Sequence, residues 1–180
     1  MDSTIKYLRQ PVADFRNPFL LNVGFIIHET IGYVREFPFE FDTVSLPPDT
    51  RLNNLKGLVR VTRTAQGLLV QVKMQAEIPA ECVRCLTDFA QLLQIDYTDL
   101  YAFNRNSVTE TGLILQENGK IDLSPAVRDE MLLAIPISPL CRPDCKGLCP
   151  TCGENLNELS GEHEHLGEVT DQSNVTASPE

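Results

Sequence analysis

Lys56-Gly57-Leu58-Val59-Arg60-Val61-Thr62-Arg63, then Thr64-Ala65-Gln66-Gly67, then Leu68-Leu69-Val70-Gln71-Val72-Lys73-Met74-Gln75-Ala76 is the stretch that decides the fold class. Both flanks are rich in β-branched residues and alternate with a period of two, the repeat of a half-buried strand. Val59 and Val61 point one way, while Lys56, Leu58, Arg60 and Thr62 point the other. Leu68, Val70, Val72 and Met74 share a face, and Gln71, Lys73 and Gln75 share its opposite. The linker between them reads as a hairpin turn in which Gly67 is expected to supply a positive φ. If the two apolar faces meet one core, Lys56, Arg60 and Lys73 gather on the outer face. A solvated polar face and a phosphate-contacting patch both fit that placement.

Upstream of the hairpin, Phe19–Ile27 and Tyr33–Asp42 read as strands separated by Gly32, and Pro47-Pro48-Asp49 as a turn. In the second of these Phe37, Phe39 and Phe41 share one face, and Pro38 assigns the strand to a sheet edge, where a missing N–H is tolerated. Downstream, about 91–103 reads as a further strand and 104–120 as a loop with a short strand at Leu113–Leu115. Ser124-Pro125 signals a helix start, with Ser as N-cap and Pro at the first helical position. That helix should run to about Ala134, burying Val127, Met131 and either Leu132 or Leu133, until Pro136 stops it. The expected fold is α+β, a β-rich antiparallel sheet or partly closed barrel with one main helix. It divides as 1–136 for the β-rich domain, 137–157 for a cysteine-rich metal-binding knot and 158–180 for a disordered acidic tail.

The chain has 180 residues, 25 acidic and 15 basic, for a net charge of −10. That sum is unevenly placed. From Glu154 onward there are seven acids and no Lys or Arg, so residues 1–153 stand at −3. Between Asp49 and Glu77 there is no acid, while Arg51, Lys56, Arg60, Arg63 and Lys73 contribute +5. A near-neutral body with a local basic patch is compatible with phosphate. No apolar leader follows Met1, and the run Met131–Ile137 is far too short for a bilayer, so a cytoplasmic protein with no membrane partner is expected.

All six cysteines lie in two clusters, Cys82-Val83-Arg84-Cys85 and Cys141-Arg142-Pro143-Asp144-Cys145-Lys146-Gly147-Leu148-Cys149-Pro150-Thr151-Cys152-Gly153. Disulfides are disfavoured because no export signal is visible and the chain is large enough to fold without them. Four thiolates satisfy zinc in a closed tetrahedral shell, which holds structure and leaves no position for a catalytic water. An iron–sulfur cluster is the competing occupant. Cys149 to Gly153 has the form of a zinc knuckle, and Gly147 lets the chain fold back so that Cys141 and Cys145 can reach the same ion. Two ligand sets fit: Cys141, Cys145, Cys149 and Cys152, or a split ribbon of Cys82, Cys85, Cys149 and Cys152. His163 and His165, in the acidic tail, are spare ligands.

Cys82-Val83-Arg84-Cys85-Leu86, then Gly119-Lys120-Ile121-Asp122-Leu123 ahead of the helix, then the Cys141–Gly153 run and Asn155-Leu156-Asn157, together resemble the YceD family. These are the large ribosomal RNA subunit accumulation proteins of bacteria and plastids, here in the actinobacterial or cyanobacterial-like form with a C-terminal cysteine cluster. The resemblance covers about residues 15–157. It implies support of 23S ribosomal RNA accumulation, by association with that RNA or its precursor, and no enzymatic activity. Some members keep the motif of Cys82 and Cys85 but lack the C-terminal cysteines. This favours the self-contained set Cys141, Cys145, Cys149 and Cys152 and leaves the earlier pair with a separate duty.

The sequence offers no competing catalytic motif: no phosphate-binding loop, no dinucleotide turn, no His-Glu-x-x-His and no Gly-x-Ser-x-Gly. The expectation is therefore a non-enzyme without a small-molecule substrate. Lys56, Arg60, Lys73, Arg84, Arg142 and Lys146 are the candidate RNA contacts. The alternative is a zinc-structured adaptor that docks on a processing enzyme or a basic ribosomal protein through its acidic surface, without touching RNA.

Overall fold

The structure is a computed structural model and describes residues 17–108 and 111–159. The acidic tail expected over 158–180 lies, beyond residue 159, outside the described residues. The chain forms two compact units, one from residues within 1–79 and 90–137, the other from residues within 80–89 and 138–180. The 80–89 segment, read from sequence as part of the β-rich domain, thus groups with the cysteine-rich end.

The first unit is built on strands β1 (Leu20–Asn22), β2 (Val34–Leu46), β3 (Thr50–Arg63), β4 (Gly67–Glu81), β5 (Asp88–Ala102) and β6 (Lys120–Asp122), with helix α1 (Ser124–Leu133). β2, β3, β4 and β5 lie side by side in chain order, and β1 pairs with β6 in a separate antiparallel ribbon. The linear order puts β2 and β5 at the two edges, with β5 bridged to Ile114 only at its Ala102 end, so the sheet is open and the barrel alternative does not hold. Pro38 does sit in the edge strand β2.

The hairpin forms from the stretch that announced it. Val59 faces Val72 and Val61 faces Val70 across the ladder, all four fully buried. Phe37, Phe39, Leu93 and Ile95 extend this apolar layer, and Phe19, Ile26, Ile121, Leu123, Val127 and Met131 complete the core. The Phe19 ring stacks on Phe39 with centroids 5.6 Å apart. Gly67 has a different role from the one expected. Its φ is not positive, and a side chain there would collide with the carbonyl oxygen of Tyr101. Close approach of backbone, not turn geometry, demands the glycine.

Two other readings shift. The segment expected as one strand over 19–27 is the short β1 followed by a 3-10 turn, Gly24–His28. At α1, Ser124 makes no side-chain cap. Asp122 takes the role instead, accepting from the Ser124 N–H at 2.9 Å and lying 2.6 Å from its hydroxyl. α1 buries Val127 and Met131 as expected, but Leu132 and Leu133 are both exposed, so the apolar stripe is narrower than expected.

The second unit consists of the turn 82–87 between β4 and β5 and the irregular segment from residue 138 onward. Its buried residues are not aliphatic. Cys82, Cys85 and Cys145 form the centre, with Phe89, Leu140, Cys141 and Leu148 packed around them.

Candidate metal centre

Cys82-Val83-Arg84-Cys85-Leu86-Thr87 folds as a tight turn. The Cys82 N–H donates to the Thr87 carbonyl at 3.0 Å, and the Leu86 N–H donates to the Cys82 carbonyl at 2.9 Å. Leu86 takes a φ of 57° to close it. That conformation is unfavourable for a residue with a branched side chain and persists only where its surroundings fix it. Both thiols of the turn are thereby aimed to the same side, which an extended strand with two intervening residues cannot do.

The segment 138–148 is laid against this turn by backbone hydrogen bonds. Val83 N–H donates to the Pro139 carbonyl at 3.0 Å, and Leu148 N–H to the Arg84 carbonyl at 3.0 Å. Gly147 makes the second contact possible, with a φ of 83° and a position where a side chain would press on the Arg84 carbonyl at 3.1 Å. The Arg84 guanidinium donates to the Cys145 carbonyl at 2.8 Å. These ties bring Cys141 and Cys145 onto Cys82 and Cys85.

The sulfur atoms of Cys82, Cys85, Cys141 and Cys145 all lie within 4.8 Å of one another. Cys82 is 3.7 Å from Cys145, and Cys85 is 3.7 Å from Cys141. A disulfide would bring sulfurs to about 2 Å. A tetrahedral ion with metal–sulfur bonds of about 2.3 Å holds them about 3.8 Å apart. The spacing is that of a single tetrahedral ion, and zinc is compatible with it. A multinuclear cluster would place several iron and sulfide atoms between its ligands and push the thiolates further apart.

Electrostatics match the geometry. Backbone hydrogen bonds, that of Cys141 foremost, bring the Cys82 thiol down to about 6. A hydrogen bond with the Thr87 hydroxyl lowers Cys85. Burial, with the neighbouring thiols, pushes Cys141 up to about 12. The pocket thus favours thiolate at Cys82 and Cys85 and resists it at Cys141, unless a cation takes the place of the proton there.

The set that comes together differs from both sets expected from sequence. Cys141 and Cys145 are joined by Cys82 and Cys85, whereas Cys149 and Cys152 are outside this group and form a turn of their own. One residue quoted only as part of a motif has a clear place. The Asn157 amide donates to the Cys145 sulfur at 3.4 Å, and its oxygen receives the Lys146 N–H at 2.8 Å and Arg142 at 2.7 Å. An Asn fixed distance C-terminal to a CxxxC pair gives no sign of this before the chain folds back.

The structure also places the candidate RNA contacts. On the sheet, Lys56 lies 3.3 Å from Glu40, Arg60 2.7 Å from Glu36 and Lys73 2.8 Å from Asp96, so each cation is matched by a carboxylate of an adjacent strand. Arg63 turns inward, donating to the Ile27 carbonyl and lying over the Phe103 ring. In the second unit Arg84 is tied to Cys145, and Arg142 also meets Asp144 at 3.6 Å.

A β-sheet unit and a unit organised around four thiols define the class as a β-rich protein with a four-cysteine cluster close enough to hold a metal ion. The profile of the family described as Large ribosomal RNA subunit accumulation protein YceD matches residues 70–173, and the chain belongs to that family. The match includes all six cysteines. Among curated relatives, the chain is 31% identical to the uncharacterized protein YlbN of Bacillus subtilis over 74% of its own length and 85% of the relative's. It is 37% identical to an uncharacterized protein of Mycobacterium tuberculosis over 59% of its own length and 53% of the relative's. It is 30% identical to the Large ribosomal RNA subunit accumulation protein YceD of Haemophilus influenzae over 41% of its own length and 45% of the relative's. The chain thus spans about half the length of the mycobacterial relatives it matches. No solved structure matches it. No helix among the described residues is long and apolar enough to cross a membrane.

Proposed function

We propose that the chain is a non-enzymatic cytoplasmic factor that supports accumulation of 23S ribosomal RNA by binding that RNA or its precursor. The observation that carries the reading is the family match over 70–173, to a family named for accumulation of large-subunit RNA. The four-thiol centre supports the non-enzymatic part. Zinc held by Cys82, Cys85, Cys141 and Cys145 would have a filled shell, with no position for substrate or water. Its work is to fix the second unit, which presents Arg84, Arg142 and Lys146.

Lys56, Arg60 and Lys73 form the second candidate contact. Their ion pairs are exposed, and such pairs contribute only about 0–1 kcal/mol, so phosphate can displace the carboxylates. The test is crosslinking in cells followed by sequencing of attached RNA. Enrichment at defined sites of 23S ribosomal RNA or its precursor is expected. The variant Lys56→Glu/Arg60→Glu/Lys73→Glu should weaken binding and flatten its salt dependence, because fewer counterions are released. Unchanged binding in that variant, folded as shown by its unfolding midpoint, removes the sheet from the interface.

One observation favours a second reading. Three carboxylates neutralise the three cations of the sheet face, and the whole chain carries −10. Such a surface suits a basic ribosomal protein, and background RNA alone in the crosslinking experiment would select this adaptor function.

A further inference from the structure

A groove in the sheet unit contains none of the candidate RNA contacts. It is lined by β5, α1, β6 and the segment before β6, and has a volume of about 570 Å³. That is within the roughly 300–1,000 Å³ of ligand sites. Tyr101, Leu113, Ile114 and Pro125 give it an apolar lining, and Ile114 is 42% exposed. The carboxylates of Asp99, Asp122 and Asp129 also line it, against the ammonium of Lys120 as the one cation among the described residues there.

These carboxylates are incompletely matched. No ion pair or hydrogen bond among the described residues engages Asp99, and burial raises its carboxyl above the ordinary range with no cation to offset it. Asp129 meets Arg128 at 3.1 Å but keeps 66% of its side chain exposed, so a better-placed cation can compete for it. At Asp122 burial is outweighed by the hydrogen bonds of Ser124 and Asn17, which lower the carboxyl and keep it charged. The last turn of α1 carries no basic residue, so the carbonyl end of the helix adds to the negative field. Phosphate is repelled by such a surface, which makes RNA the wrong occupant. Apolar surface continues out of the groove along α1. Ala126 and Asp129 line the groove, and Leu133, seven and four residues further on, stands on the same helix face and is 79% exposed. Lysine and arginine suit this combination, because their methylene stems cover apolar surface while their heads reach carboxylates.

We propose that this groove docks an extended basic peptide segment of a partner protein, one in which Lys or Arg residues alternate with apolar ones. The cations meet Asp99, Asp122 and Asp129, and an apolar side chain covers Leu133. Such docking goes beyond both functions above, since it holds whether or not the chain also contacts RNA.

The test is fluorescence anisotropy with the full chain and two labelled synthetic peptides of equal length, one alternating Lys and Val, the other Lys and Ser. The Lys-Val peptide should bind about tenfold more tightly than the Lys-Ser peptide, and less tightly as salt rises. Asp99→Asn/Asp129→Asn should weaken Lys-Val binding about tenfold and flatten its salt dependence. Leu133→Ser changes an exposed side chain and leaves the fold intact. It should bring Lys-Val affinity close to that of Lys-Ser, without altering the latter. Equal binding of the two peptides by the parent, or parent-like Lys-Val binding by Leu133→Ser, overturns the proposal and assigns the attraction to the net charge of −10. A dimeric parent that Leu133→Ser converts to a monomer gives this face to a second copy and overturns it too. So does RNA crosslinked at Tyr101 or Pro125. Failure of this assay leaves the RNA crosslinking outcome untouched, and absence of RNA crosslinks leaves peptide docking untouched.

Discussion

Withdrawal of metal from the intact chain should unfold the second unit and leave the sheet standing. The apolar side chains around its thiols are Phe89, Leu140 and Leu148, all only partly buried. Full burial would contribute about 1.5–3 kcal/mol each, so together they give less than about 9 kcal/mol. A structural zinc contributes about 10–16 kcal/mol at neutral pH. The first unit has an extensive aliphatic and aromatic core, from Phe19 through Val59 and Val72 to Met131, on which its stability rests. The assay is hydrogen exchange read by mass spectrometry, with and without a high-affinity zinc chelator under reducing conditions. Amides of Cys82, Leu86, Cys145 and Leu148 should lose protection, while those of Val59, Val61, Val70 and Val72 keep theirs. If complete removal of metal, verified by elemental analysis, leaves the first four as slow as before, the reasoning fails.

Asn157→Ala removes a donor to the Cys145 sulfur and should weaken metal binding about 10- to 100-fold, measured by competition with a chromophoric chelator. Because Cys141 is pushed up to about 12, its thiol is protonated at neutral pH without metal, so loading must release at least one proton. Affinity therefore falls as pH drops, and calorimetry in buffers of different ionisation enthalpy should register that proton at pH 7. Gly67→Ala forces a side chain against the Tyr101 carbonyl and should destabilise the sheet by about 1–3 kcal/mol in urea unfolding. Lys73→Ala breaks only an exposed ion pair and should shift the same curve by less than about 1 kcal/mol.

The β3–β4 hairpin was legible because alternation is a local signal, and Val59, Val61, Val70 and Val72 carry it without help from distant residues. Helix α1 was legible through Pro125 and Pro136, but its cap was not. The oxygen that serves it belongs to Asp122, two residues ahead of the Ser124 that the pattern suggests. At Gly67 the local pattern points to turn geometry, whereas the need for glycine comes from Tyr101, distant in sequence. The cysteine cluster shows the same limit most clearly. Four cysteines in twelve residues read as one site by proximity along the chain. The structure instead joins Cys141 and Cys145 to a turn some sixty residues away, through Arg84 and Gly147, and leaves Cys149 and Cys152 in a second turn. Spacing identifies ligand pairs, but which pairs meet is decided by how the chain folds back.

The most direct test of the account is thiol alkylation, read residue by residue, on the zinc-loaded Cys82→Ser/Cys85→Ser variant. The four-thiol centre predicts that Cys141 and Cys145, protected in the parent chain, become reactive. If Cys141 and Cys145 remain protected, zinc is held by the C-terminal cysteines alone and the account is contradicted.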